Sequence, residues 1–172
     1  MTASFLLALL LIGNYDVGLQ IGGVAPLGDL EANHKTGISG SVVLGRNAGP
    51  HRWELGIEGL ELAGNQQPGY ALTDYRLALA YHYALVNKLD WQLRAGLGID
   101  WHNLTRRLNQ VSERGSVPGA TLTFSYARNF GHPKFLFQLY GSELLEFGRQ
   151  GDVSTVQSAT LVGFRMGVGY EF

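Results

Sequence analysis

The chain has 172 residues, enough for one domain, and a formal net charge of −1, so no basic excess points to a nucleic-acid partner. It has no cysteine, which excludes disulfides, thiolate metal sites and an N-terminal lipid on cysteine. A hydrophobic share of 45% with 24 glycines is not the composition of a disordered chain.

The first segment, "MTASFLLALLLIG", carries an apolar run at 5–12. That run is too short to span a bilayer as a helix and has the length of a signal-peptide core. It lacks a basic start and a clear cleavage site. Residues 1–13 are therefore expected to be a signal remnant, with an ordered apolar extension as the alternative; residues 14–172 form the domain.

From residue 14 onward the pattern alternates with a period of two. "YRLALAYHY" puts Tyr75, Leu77, Leu79, Tyr81 and Tyr83 on one side and Arg76, Ala78, Ala80 and His82 on the other. "WQLRAGLGIDW" sets Trp91, Leu93, Ala95, Leu97, Ile99 and Trp101 against Gln92, Arg94, Gly96, Gly98 and Asp100. "ATLTFSY" sets Ala120, Leu122, Phe124 and Tyr126 against Thr121, Thr123 and Ser125. The same reading gives eight strands, at 14–25, 37–46, 51–63, 70–85, 90–104, 117–130, 134–147 and 156–172. The connections at 47–50, 86–89 and 131–133 are tight, those at 26–36, 105–116 and 148–155 are longer, and 64–69 is intermediate. This is the cadence of an all-β, closed, antiparallel, up-and-down eight-stranded barrel.

Alternation alone fits two barrels: a soluble one with its apolar face inside, or a membrane one with its apolar face in lipid. The polar face decides between them. A solvated face should be rich in lysine and glutamate. Here the three lysines, Lys35, Lys88 and Lys134, fall in or beside connections, and the polar face is mainly Gly, Ala, Ser, Thr and Gln. Small residues suit the interior of a narrow barrel. The other face is aliphatic, with aromatics toward strand ends: Tyr15, Trp53, Tyr83, Trp91, Trp101 and Phe130. That is an apolar band with an aromatic girdle, and a sheet that spans lipid must close to satisfy its backbone.

The inward positions then carry a charge network: Asp16, Glu54, Glu58, Asp74, Arg76, His82, Arg94, Asp100, His102 and Arg165, with Arg52 and Glu171 on the same face. A reversal symmetric about Lys88 would oppose Arg76 to Asp100, Asp74 to His102 and His82 to Arg94. A hairpin centred near 65–68 would place Glu58 beside Arg76, giving a Glu58–Arg76–Asp100 triplet. Glu61 and Glu143 count as lipid-facing. Leu60, Leu62, Leu136 and Leu144 count as inward, which suggests β-bulges around Leu60, Leu62 and Leu144.

The chain ends "VGFRMGVGYEF", with Phe172 last and Tyr170, Val168, Met166 and Phe164 alternating before it. This end resembles the C-terminal signature of bacterial outer-membrane barrels. Size and strand count resemble the small eight-stranded barrels of the outer membrane protein X and OmpA membrane-domain type. The resemblance implies the outer membrane of a Gram-negative bacterium as location. Its lipid and lipopolysaccharide would be partners there, and Phe172, Tyr170 and Val168 would address the barrel-assembly machinery. The narrow lumen lined by opposite charges reads as a salt-bridged, plugged interior, and the expected role is structural or partner-scaffolding, the partner being unspecified. A narrow small-solute channel and a lipid A-modifying enzyme are the alternatives.

An enzyme of that kind needs a serine, a histidine and an acid together. The candidates are His102, Ser142 and Glu143, with His102 and Ser142 inward by parity and Glu143 outward. No cofactor is expected. His34, His51, His82, His102 and His132 lack a paired metal-ligand spacing. Arg106, Arg107 and Arg114 in the third long connection read first as a solvated loop, with contact to lipopolysaccharide phosphates as the alternative.

Overall fold

In the computed structural model the chain is described at residues 14–28, 31, 34–64, 70–108, 111–150 and 153–172. The expected signal remnant at 1–13 lies outside them. Eight strands follow one another: β1 (Asn14–Leu27), β2 (Gly37–Ala48), β3 (His51–Ala63), β4 (Tyr70–Asn87), β5 (Trp91–Leu108), β6 (Val111–Asn129), β7 (Pro133–Gln150) and β8 (Val153–Glu171). Each pairs antiparallel with its neighbours, and β8 returns to β1 from Asp16 opposite Glu171 to Leu27 opposite Thr160. The ladder therefore has no free edge.

One end carries tight reversals and both barrel termini. Gly49 and Gly131 turn there with φ of 61° and 89°, a left-handed conformation that glycine adopts without a Cβ clash. The other end carries the connections from β1 to β2, β3 to β4, β5 to β6 and β7 to β8. These are called the turn end and the loop end.

The alternation predicts which way each side chain points. Leu77, Leu79 and Leu97 face outward and are 46–65% exposed, whereas Arg76, Arg94 and Asp100 face inward at 3–5%. Leu19, Ile21, Ile57, Ile99 and Leu122 continue the exposed aliphatic wall. A wall of this extent in water would be a large exposed apolar patch; against acyl chains it is matched. Trp53, Tyr83, Trp101 and Phe130 are exposed, and Tyr15 and Trp91 half-buried. At the turn end Trp53 packs on Tyr81 and Trp91 on Tyr126, with centroids 5.0 and 6.2 Å apart.

Three expectations are corrected. The stretch 105–116 is not a long loop: β5 runs on to Leu108 and β6 starts at Val111, with Thr105 opposite Arg114. In the same way β7 and β8 extend to Gln150 and from Val153. Beyond the apolar band the sequence loses its hydrophobic period, although the hydrogen-bond ladder continues.

Second, the reversal after β4 is centred on Leu89 rather than Lys88. Arg76 therefore opposes His102, Asp74 opposes Leu104 and His82 opposes Gly96. The turn is asymmetric: the one register shift between β4 and β5 falls between Ala84 and Val86, at Leu85.

Third, β3 and β7 carry no bulge. Their registers run unbroken through Leu60, Leu62 and Leu144, and these leucines do point inward.

Candidate functional site: a charged lumen beneath an apolar plug

The lumen is filled in tiers, because successive inward residues of eight tilted strands meet at the axis. At the turn end Asp16 on β1 is the hub. Arg52 grips both of its oxygens, with Nη2 2.9 Å from Oδ1, and also donates to Glu54 Oε2 at 3.1 Å. Lys134 Nζ lies 2.5 Å from Asp16 Oδ2, and Asn47 Nδ2 donates to the same oxygen at 2.8 Å. Gly45 leaves room for the guanidinium, since a Cβ there would stand 2.1–2.2 Å from Arg52 atoms. His82 lies 4.0 Å from Glu54 and 3.3 Å from the Thr123 hydroxyl.

The middle tier is built on Glu58. Its Oε2 is 2.6 Å from Arg76 Nη2 and accepts from Arg165 Nη2 at 2.8 Å. Arg76 Nη1 continues to Asp100 Oδ2 at 3.3 Å, and Arg165 Nη1 donates to Gln138 Oε1 at 3.1 Å. The Tyr140 ring lies against both guanidiniums, with its centroid 3.9 Å from Arg165 Cζ and 5.1 Å from that of Arg76. The gap bounded by Ser41, Glu54, Glu58, Arg76 and Arg165 holds about 20 Å³, room for a single water.

Above it His102 stands between two acids: Nδ1 is 2.5 Å from Asp74 Oδ2, and Nε2 is 3.5 Å from Asp100 Oδ2. Ser142 Oγ donates to Asp100 Oδ2 at 3.0 Å, and Thr121 donates to the same oxygen. The lumen then turns apolar. Val24, Leu60, Leu62, Leu72, Leu104, Val117, Leu144 and Leu161 form one buried cluster that caps the charges toward the loop end.

The structure brings Glu58, Arg76 and Asp100 into one chain of contacts, and Asp74 onto His102. It does not oppose His82 to Arg94: His82 faces Gly96, and Arg94 Nη2 donates to the Asn47 and Gln92 side chains. Asp16, Glu54 and Arg165 all face the lumen. Lys134 and Tyr140 are interior groups that sequence reasoning passed over. The signal was present, since Lys134, Leu136, Gln138, Tyr140, Ser142 and Leu144 share one parity on β7 and all are buried. Proximity to a turn hid Lys134, and aromatic character hid Tyr140.

Ser142, His102 and Asp74 fall in line, with Ser142 Oγ 3.5 Å from His102 Nε2. Glu143, the third enzyme candidate, is on the outer wall and accepts from Thr160 Oγ1. The line resembles a nucleophile–base–orienter set. Its chemistry is spent otherwise: both His102 nitrogens face carboxylate oxygens, and Ser142 gives its proton to Asp100, not to the imidazole. All three side chains are fully buried beneath the leucines.

A closed eight-stranded barrel with an aliphatic exterior and a salt-bridged bore invites comparison with solved structures. The fold is that of the small outer-membrane barrels. Neisserial surface protein A matches with a TM-score of 0.71 at 12% identity, over 94% of this chain and 100% of that one. OprG of Pseudomonas aeruginosa matches at 0.64 and 11%, over 93% and 96%. Ail, the attachment invasion locus protein of Yersinia pestis, matches at 0.61 and 11%, over 93% and 99%. No protein-family model and no curated protein matches the sequence. Small outer-membrane barrels of this kind share the architecture at identities where residue roles do not transfer.

On the outer wall Phe172, Tyr170 and Val168 form an exposed row at the turn end. Tyr170 stacks on His132 at 5.5 Å and 15°, and Phe172 N donates to Tyr15 O at 2.9 Å. At the loop end an outward groove of about 830 Å³ is lined by Glu61, Thr73, Tyr75, Asn103, Arg107 and Arg114, among others. The Arg106 side chain lies outside those described.

Proposed function

We propose that this chain is an integral protein of a Gram-negative outer membrane. It acts as a plugged barrel: a structural element or scaffold that presents its mouths to a partner. One observation carries the reading, which is that two unlike barriers lie in series within the bore. The carboxylates and guanidiniums of Asp16, Arg52, Glu58, Arg76 and Arg165 are already paired, so passage of an ion must break buried pairs. Beyond them the Leu62 and Leu161 cluster offers a hydrated ion no polar contact.

The turn end faces the periplasm in this reading, and the row Phe172, Tyr170, Val168 is the address for the assembly machinery. The loop-end groove faces the outer leaflet. There Arg107 and Arg114, exposed on neighbouring strands, suit the phosphates of lipopolysaccharide, with Thr73, Asn103 and Ser116 available to sugar hydroxyls.

Planar-bilayer recording of the refolded protein tests the plug. The expected record is a baseline without steady openings. Large, long-lived openings would replace the scaffold with a small-solute channel whose salt bridges exchange partners. The Ser142–His102–Asp74 line favours a lipid-modifying enzyme only if the leucine cap opens, and the closed barrel holds it shut.

A further inference from the structure

Among the described residues each charged group of the lumen's ion-pair network touches an opposite charge, and Arg94 does not. It is 5% exposed, and among the described residues no ion pair includes it. Its hydrogen-bond partners are two neutral amides, Asn47 Oδ1 at 2.9 Å and Gln92 Oε1, and its Nε has none. The carboxylates of the same tier are engaged elsewhere. Asp16 is held by Arg52, Lys134 and Asn47, Glu54 by Arg52 with His82 at 4.0 Å, and Glu171 by Asn14 at 2.7 Å with Lys134 at 3.9 Å.

Burying a guanidinium with no carboxylate in direct contact is costly. This one borders a cavity of about 350 Å³ at the turn-end mouth, whose lining includes Asn14, Asn47, Gln92, Arg94, Asn129 and Lys134. Asn47 and Gln92 turn their oxygens to Arg94 and give one amide proton each to Asp16 Oδ2 and Asn87 Oδ1, so the donors left for an oxyanion are the unpartnered Arg94 Nε–H and the second amide protons, with Lys134 as a second cation. We propose that this mouth is a binding site for a single oxyanion, a carboxylate or a phosphate, held by Arg94 and flanked by Asn47, Gln92 and Lys134. Glu171 also lines the cavity and opposes the anion, so it limits affinity and selects for one negative group rather than a polyanion. That the anion arrives from the periplasm rests on the outer-membrane reading above; the site itself does not.

The test uses the full refolded chain in detergent micelles, at constant ionic strength set with chloride. Acetate and inorganic phosphate are titrated in separate arms while NMR follows the Arg94 Nε–H and the Asn47 and Gln92 side-chain amides. Saturable shifts confined to these groups are expected, and the tighter arm names the anion class. Arg94→Gln should weaken binding at least tenfold, and Glu171→Gln should strengthen it several-fold; a native-like spectrum for each variant shows that it folds. Non-saturating shifts in both arms, or equal binding by the Arg94→Gln protein, would overturn the site. Neither outcome bears on the membrane reading, which bilayer recording addresses separately.

Discussion

Glu58 serves two guanidiniums with one carboxylate, and that asymmetry sets what happens when it is neutralised. Arg76 would retain Asp100 at 3.3 Å, and Arg165 would retain the Gln138 amide oxygen and the Tyr140 ring but no carboxylate. Removing one member of a buried ion-pair group costs roughly 3–5 kcal/mol, since the orphaned charge stays buried. Glu58→Gln should therefore lower the unfolding free energy by about that amount, read from urea titrations of the protein folded into lipid vesicles. Glu61→Gln provides the contrast. Glu61 sits on the outer wall beside the loop-end groove, where a surface substitution changes stability by about 0.5 kcal/mol or less. Equal effects of the two substitutions would mean that the middle tier is wet and weakly coupled. Glycine matters at this scale through absence: a Cβ at Gly119 would stand 2.6 Å from Asp100 Oδ1 and 2.9 Å from His102 Nε2, so the acid–imidazole pair fits only beside a bare backbone.

Along a single strand the inward row changes chemistry with height. On β7 it passes from Lys134 through Leu136, Gln138 and Tyr140 to Ser142 and then Leu144, so this one strand reaches every tier in turn. The apolar tier packs like a small protein core, and a large-to-small change there should cost about 2–5 kcal/mol. Leu62→Ala should destabilise the barrel by that much in urea titrations and leave the bilayer baseline quiet, because the paired charges below still close the bore. Conductance from Leu62→Ala alone would place the whole barrier in the leucines. Much of this was legible in sequence. Parity assigned nearly every inward charge, because a two-residue period fixes the face whatever the register. Register itself was not legible: the asymmetric turn and the shift at Leu85 moved Arg76 from Asp100 to His102, a one-step diagonal that long side chains bridge. Leu60, Leu62 and Leu144 contradicted a uniformly polar interior and invited bulges. The bore has an apolar cap instead, which alternation along one strand cannot distinguish from a slip.

Taken whole, the barrel is a wall whose outer face changes with height. On β5 the aromatics Trp91 and Trp101 bracket Leu93, Ala95, Leu97 and Ile99. Ten residues at about 3.3 Å each, tilted by about 40°, rise roughly 25 Å, the height of the apolar band of outer-membrane barrels. Past Trp101 the outward row becomes Asn103, Thr105 and Arg107, so the strand leaves hydrocarbon while its ladder with β6 continues. This geometry makes a depth-dependent prediction. Arginine at the midplane of such a barrel costs about 2–4 kcal/mol, falling to about 0–1 near the interfaces. Leu97→Arg, halfway between the two tryptophans, should lose the larger amount in vesicle-based urea unfolding, and Leu85→Arg, beside Tyr83 at the turn end, the smaller. Both leucines are outward and well exposed, so neither substitution disturbs the lumen, and the difference between them reads depth alone. A cost for Leu97→Arg no greater than for Leu85→Arg would mean that the aliphatic wall meets water, and the membrane assignment would fail with it.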